Sequence, residues 1–290
     1  MIVKILMLLS GLFVASMLIS ILTSGFRNLV NRLREGRSYI PVSGHTLILG
    51  WSPSIMSVLP ELILANESER SAHVVILSAL SKQKMDDEVR TRVADWKTTT
   101  IVTRSGDTYN PHDLEMVNID GADSVIVLTK EASKNPDIEV IKTLMAVANN
   151  PLRNKSAYHL VASIRDHKNI AVAKLAGRDE AELIPSIEVV SKITAQTCRQ
   201  PGLPVVYTEI MGFEDNELCI AAADGLSGVK FSEAIFKYGV KLNPTKTDAI
   251  TFCEGDLIIV VAEDYLSAPE DARAEPGAAG PDSGPAPVRV

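Results

Sequence analysis

Five short apolar runs, His45 to Leu49, His73 to Leu77, Thr100 to Val102, Ser124 to Leu128 and Leu160 to Ile164, follow one another with gaps mostly long enough for a crossover helix. Runs that are apolar almost throughout belong to strands covered on both faces, the condition of a parallel sheet held between two helical layers. The pattern predicts an α/β domain built on a Rossmann-like, doubly wound parallel sheet, with its strand ends opening on a common crevice. Helix signals fill the gaps. Asn135 precedes Pro136, Asp137 and Glu139, with Ile138, Ile141, Leu144, Met145 and Ala148 as an apolar stripe, and Ser52-Pro53 opens a second helix in the same way. Asp166 to Ala176 is expected to end at a left-handed Gly177, and Ser186 starts a further helix.

The rhythm changes after Gln200-Pro201-Gly202-Leu203-Pro204. Val205 to Ile210, Glu217 to Ala222 and Asp256 to Ala262 read as strands and Phe231 to Tyr238 as a short helix, which predicts a smaller α+β C-terminal lobe. Ahead of the sheet, Ile5 to Phe26 carries no ionisable side chain, and about 20 apolar residues suffice for a transmembrane helix. Arg27, Arg32, Arg34 and Arg37 follow this run while only Lys4 precedes it, so the positive-inside rule puts the rest of the chain in the cytoplasm. A cleaved signal with a site near Val14-Ala15-Ser16, giving an exported binding protein, is the competing account. The expected parts are a single-pass transmembrane helix (1–26), a basic connector (27–43), the parallel-sheet lobe (44–203), the C-terminal lobe (204–266) and a disordered Ala/Pro/Gly-rich tail (267–290).

Acidic residues outnumber basic ones, 36 to 29, which argues against nucleic acid as a partner. The three cysteines, Cys198, Cys219 and Cys253, are far apart and read as buried thiols of a reducing compartment. The first strand-to-helix turn, Gly50-Trp51-Ser52-Pro53-Ser54, has one glycine, a bulky indole and a proline without an N–H, a poor cradle for a pyrophosphate. Leu77-Ser78-Ala79 supplies no acid for a ribose. A membrane-tethered NAD-dependent oxidoreductase is therefore the alternative rather than the leading reading. Arg104-Ser105-Gly106-Asp107 follows the third run, where ligand-facing loops emerge. Asp107 either touches a cation or bonds its own turn. Glu214, Asp215 and Glu217 form the densest acidic cluster of the second lobe, which reads either as a solvated turn or as oxygen ligands for a hard cation such as Ca2+. No hydrolase elbow, P-loop, kinase pattern or zinc spacing occurs in the sequence, so no catalytic residue is assigned and no cofactor is certain.

His45-Thr46-Leu47-Ile48-Leu49-Gly50-Trp51-Ser52 resembles the opening of the regulatory domain in the CASTOR/POLLUX family of ion channels. The match continues through Arg104-Ser105-Gly106, Gln200-Pro201-Gly202-Leu203, Met211-Gly212-Phe213-Glu214, Leu242-Asn243-Pro244, Glu254-Gly255-Asp256 and Ala262-Glu263-Asp264. The resemblance implies a last pore helix followed by a domain similar to the regulators of potassium conductance (RCK). Such domains assemble into a gating ring beneath a tetrameric cation pore, and calcium is one ligand implicated in the family. With no selectivity filter before the single span, the pore is expected on upstream sequence or on a separate subunit. The leading expectation is thus a membrane-anchored, non-enzymatic regulatory part of a cation channel. Its ligand crevice would lie at Gly50, Trp51, Ser52, Ser78, Arg104 and Asp107, and its metal ligands would be Glu214, Asp215 and Glu217. It would work as a homo-oligomeric ring or beside a separate pore subunit.

Overall fold

Alternation of side chains along each strand divides the apolar runs between two cores. Leu47 and Leu49 of β1 (His45–Leu49) and Val75 and Leu77 of β2 (Ala72–Ser78) enter one cluster, while Ile48, Val74 and Ile76 enter the other. A computed structural model describes residues 2–129, 133–213, 217–222 and 257–262, without the side chains of 2–3, 5–10, 27–35 and the last two segments. With β3 (Thr99–Ser105), β4 (Ala122–Val127), β5 (Leu160–Ile164) and β6 (Ala181–Pro185), the strands form one six-stranded sheet in the order β3-β2-β1-β4-β5-β6, every pairing parallel. The chain runs outward from β1 to β3, returns to β4 and runs outward again, so the sheet is doubly wound. α2 (Ile55–Ala65) and α3 (Lys82–Arg92) supply Ile55, Leu59, Met85 and Val89 to one core. α4 (Pro111–Met116) and α5 (Pro136–Ala148) supply Leu114, Val140, Leu144 and Val147 to the other. Each fully buried aliphatic side chain is worth about 1.5–3 kcal/mol against exposure.

The chain divides into two compact units, Met1–Thr194 and Ala195–Val290. The first holds the sheet together with α1 (Ile2–Glu35), α6 (Ile170–Ala176) and most of α7 (Ser186–Arg199). In the second, α8 (Leu203–Met211) precedes β7 (Glu217–Ala222) and β8 (Leu257–Ala262), an antiparallel pair with Glu217 opposite Ala262. The expected helix at 231–238 and the tail lie outside the described residues.

Several expectations are corrected. Val205 to Ile210 is helix, not strand: Gly202 turns at φ +93°, Pro204 sits in the first helical turn and the Thr208 hydroxyl donates to the Pro204 carbonyl at 2.8 Å. β6 went unread, because Glu182 and Pro185 interrupt its apolar pattern. Gly177 has φ −86°, and the left-handed residues are Arg178 and Asp179 just beyond it. Cys198 is exposed rather than buried.

The stripe of α5 is also rotated from its expected setting. Asp137 is buried at 5% exposure and accepts hydrogen bonds from the Arg165 and Asp166 N–H groups, both at 2.9 Å, and from the Asn169 amide at 2.8 Å. A carboxylate pinned in this way fixes which side of the helix faces inward. Asp137, Val140, Leu144 and Val147 point to the core, and Ile138 and Met145 are left exposed. Asn135 makes no capping bond among the described residues.

α1 continues as one helix through the basic stretch, about 50 Å at 1.5 Å per residue. Among the described residues no helix is long and apolar enough to cross a membrane. Within the uncharged stretch of α1 the described side chains are those of 11–26, and all of them are exposed.

After α1 the connector is laid against the first unit residue by residue. The Gly36 carbonyl accepts from the Ser105 N–H at 3.2 Å, the Ile40 N–H donates to the Met116 carbonyl at 2.9 Å, and the Gly44 N–H donates to the Gly121 carbonyl at 2.8 Å. The Asn118 amide donates to the Val42 carbonyl at 2.7 Å. Ile40, 2% exposed, sits in the core beside Leu114 and Val117. Ile40→Ala should therefore cost about 2–4 kcal/mol, read as a lower urea midpoint at unchanged slope. A loss below about 0.5 kcal/mol would show that the connector is not part of the core.

Candidate functional site

The carboxyl ends of β1, β2 and β3 lie side by side and carry Gly50, Ser78 and Arg104. Gly50 has φ +104°, donates its N–H to the Leu77 carbonyl at 2.8 Å, and would place a Cβ 2.6 Å from the Leu128 carbonyl oxygen. No other residue fits there. The turn that follows is folded shut. Trp51 packs against the core on the α2 and α3 face, and Ser52 is buried with its hydroxyl 2.5 Å from that of Ser54. The N–H groups of Ile55, Met56 and Ser57, the donors a bound pyrophosphate would use, go instead to the carbonyls of Ser52, Pro53 and Ser54 at 3.0, 3.2 and 3.0 Å.

Ser78 ties β2 to β3: its carbonyl accepts from the Gly106 N–H at 2.9 Å, and its hydroxyl accepts from the Leu80 N–H at 3.3 Å. The Ser105 hydroxyl donates to the Leu80 carbonyl at 2.8 Å. Arg104, expected in a loop, is the penultimate residue of β3 and turns toward the connector. Its Nε donates to the Ser38 carbonyl at 2.7 Å and its Nη1 to the Thr103 carbonyl at 2.8 Å. Burial lowers the guanidinium pKa and the nearby Asp86 carboxylate works against that, while Asp86 itself pairs with Lys82 and accepts from the Thr103 hydroxyl. Asp107 is exposed. The carboxylate that organises its turn belongs to Asp113, which accepts the Asp107 N–H at 2.8 Å.

The structure thus gathers Gly50, Ser78 and Arg104 at adjoining strand ends, turns Trp51 and Ser52 inward and leaves Asp107 on the surface. Glu214 and Asp215 lie outside the described residues, and only the backbone of Glu217, at the start of β7, is described. Among the described residues no three His, Cys, Asp or Glu side chains converge as a metal site. Sequence reasoning missed Asp137, whose only signal was an acid in a first helical turn. Burial raises its pKa, but the Arg165 N–H, the Asn169 amide and the Asp166 N–H outweigh this and hold the carboxyl below its usual value. At the opposite edge of the sheet Arg153 spans the loop before β5. It bonds the Lys155 carbonyl at 2.6 Å and both Glu180 oxygens at 3.0 Å, and stacks 4.5 Å over Tyr158. Burial, then the bond to Asp120, pushes the Tyr158 pKa up, so this group is a neutral brace.

Comparison with known proteins follows the same division. A family model described as calcium-activated potassium channel slowpoke-like RCK domain matches residues 36–170, and one described as Castor and Pollux, part of voltage-gated ion channel, matches residues 187–275. The probable ion channel CASTOR of Oryza sativa subsp. japonica is 29% identical over 278 residues, covering 90% of this chain and 31% of that protein. The probable ion channel POLLUX of Arabidopsis thaliana is 29% identical over 269 residues, covering 88% and 32%. The chain spans about a third of the length of these relatives. The human SLO3 gating ring superposes with a TM-score of 0.51 at 17% identity, over 76% of this chain and 44% of that one, which is a likeness of fold. The resemblance carried by the short motifs is therefore borne out along most of the chain.

Two outcomes test the geometry. Arg104→Gln should free the segment around Ser38 and speed tryptic cleavage after the exposed Arg37 severalfold, and an unchanged rate would contradict the clamp. Because the Asp137 pKa is depressed, its contribution is complete above the ordinary carboxylate value of about 3.9 and is lost as pH falls below it. Asp137→Asn should lower stability at pH 7 and flatten the acid limb of the stability curve, measured by urea unfolding between pH 3 and 7.

Proposed function

We propose that this chain, a sequence relative of the CASTOR and POLLUX ion channels, is the membrane-anchored regulatory part of a cation channel. In this reading 1–26 is the anchor, 27–43 the connector, 44–203 an RCK-like lobe, 204–266 a second lobe and 267–290 a tail. The chain crosses the bilayer once, with the lobes in the cytoplasm.

The observation that carries the reading is the clamp between the end of α1 and the carboxyl edge of the sheet. Ser105 and Arg104, the last residues of β3, bond the carbonyls of Gly36 and Ser38 immediately after the helix. A ligand that shifts the strand ends therefore moves α1 without any intervening slack. The exposed apolar side chains of α1 from Leu12 to Phe26 suit a lipid environment. The closed turn after Gly50 supports a sensor without nicotinamide chemistry. Ser78 and Arg104 are the crevice residues best placed to report a ligand, and Glu214, Asp215 and Glu217 remain the proposed cation ligands, with Ca2+ the first ion to test.

Exposed Ile138 and Met145 on α5, with Val172 and Leu175 on α6, give the first unit an apolar surface that supports assembly into a homo-oligomeric ring. The full chain should stay in membranes washed with alkaline carbonate and extract in detergent as a closed oligomer. Leu175→Asp, at a position 78% exposed, should shift that oligomer toward smaller species in light scattering without lowering fold stability. Release by carbonate, or calorimetric binding of NADH followed by turnover, would contradict the reading.

A further inference from the structure

His45 opens β1 at 1% exposure, and among the described residues neither of its ring nitrogens makes a hydrogen bond of good geometry, although the backbone of Val117 and of Val42 lies close enough to interact with it. An imidazole buried with only poorly aligned backbone partners is a standing cost, and water is the solvent it would otherwise prefer. Its surroundings come from four elements. Burial, the largest influence, favours the neutral ring. Against it act weak, poorly aligned hydrogen bonding to the backbone of Val117 just after α4 and of Val42 in the connector, and the Asp123 carboxylate on β4, all of which favour a proton, while His73 on β2 opposes one. The residue is also the first beyond the connector, one position after the Gly44 N–H that bonds Gly121.

We propose that His45 is a proton-operated latch for the connector: as the neutral ring it stays buried and keeps residues 36–44 docked, and as the cation it leaves for water and draws that segment off the domain. The sign follows from the environment. A ring that titrates below its ordinary value when docked takes up its proton more readily when undocked, so docking is complete above about pH 6.5 and weakens as pH falls below it. The latch is a property of this domain. Its consequence for a membrane pore, acid-induced slackening of the link to α1, rests on the function proposed above.

Hydrogen exchange on the full chain in detergent, corrected for the intrinsic pH dependence of exchange, tests it between pH 5.5 and 8. The amides of Ile40 and Gly44, bonded to Met116 and Gly121, should lose protection below about pH 6.5 while β1 amides keep theirs. His45→Phe should abolish the response and His73→Gln should leave it. Protection of Ile40 and Gly44 that is independent of pH in the wild type, or a response removed by His73→Gln and kept by His45→Phe, overturns the latch. If His45→Phe does not fold, the wild-type ring decides by NMR titration: a midpoint below that of a free histidine supports the latch, and one at or above it overturns the proposal. Failure of the latch leaves membrane retention and oligomer size untouched, so it is separable from failure of the regulatory reading.

Discussion

The segment from Gly36 to Gly44 belongs to no helix or sheet, so where it is buried, at Gly36 and Ile40, its backbone must be paired by the domain it crosses. That single requirement organises the first unit. The end of the edge strand β3 pairs its beginning, α4 and the residues after it pair its middle and end, and Ile40 fills a place in the core that no helix supplies. Backbone and side-chain bonds of this kind are worth about 1 kcal/mol each net, and burying one isoleucine about 1.5–3 kcal/mol. The attachment is therefore strong enough to transmit a displacement and weak enough to be released by a change of a few kcal/mol, the range in which ligands and protons shift two-state equilibria.

The same economy explains the crevice. A Rossmann turn that binds a dinucleotide leaves the first N–H groups of its helix free and lets the backbone approach the phosphates. Here those groups are spent inside the turn, Trp51 packs half-buried against the core, and Gly50 is needed for the close approach to Leu128 rather than for a ligand. What the carboxyl edge retains is a set of cross-links between strand ends, Ser78 to Gly106 and Ser105 to Leu80, with Arg104 reaching out to the connector. The edge is built to pass on changes in strand position.

The apolar runs made the sheet legible in the sequence: β1 and β5 fall on the predicted residues, and β2 and β4 within a residue or two. Local composition failed where one residue answered to a distant partner. Arg104 read as a loop residue because nothing in its neighbourhood announces Ser38, 66 positions earlier. The inward face of α5 was misjudged because Asp137 looks like a helix-start acid, whereas its partners Arg165, Asp166 and Asn169 lie beyond β5. Val205 and Val206 favoured a strand by propensity, and Gly202 and Pro204 decided for a helix. His45 was legible as an apolar-run residue in a family motif, but its burial without a well-aligned partner among the described residues is a fact of packing that no spacing encodes.

The central claim is mechanical: at neutral pH a displacement of α1 is carried into the sheet because the connector does not yield first. Stretching single molecules from the start of α1 to a point beyond β6 in an optical trap measures this directly. The account predicts that residues 36–44 come away together with the cooperative unfolding of the sheet. A separate early extension matching the length of that segment, with the sheet still folded, would contradict it.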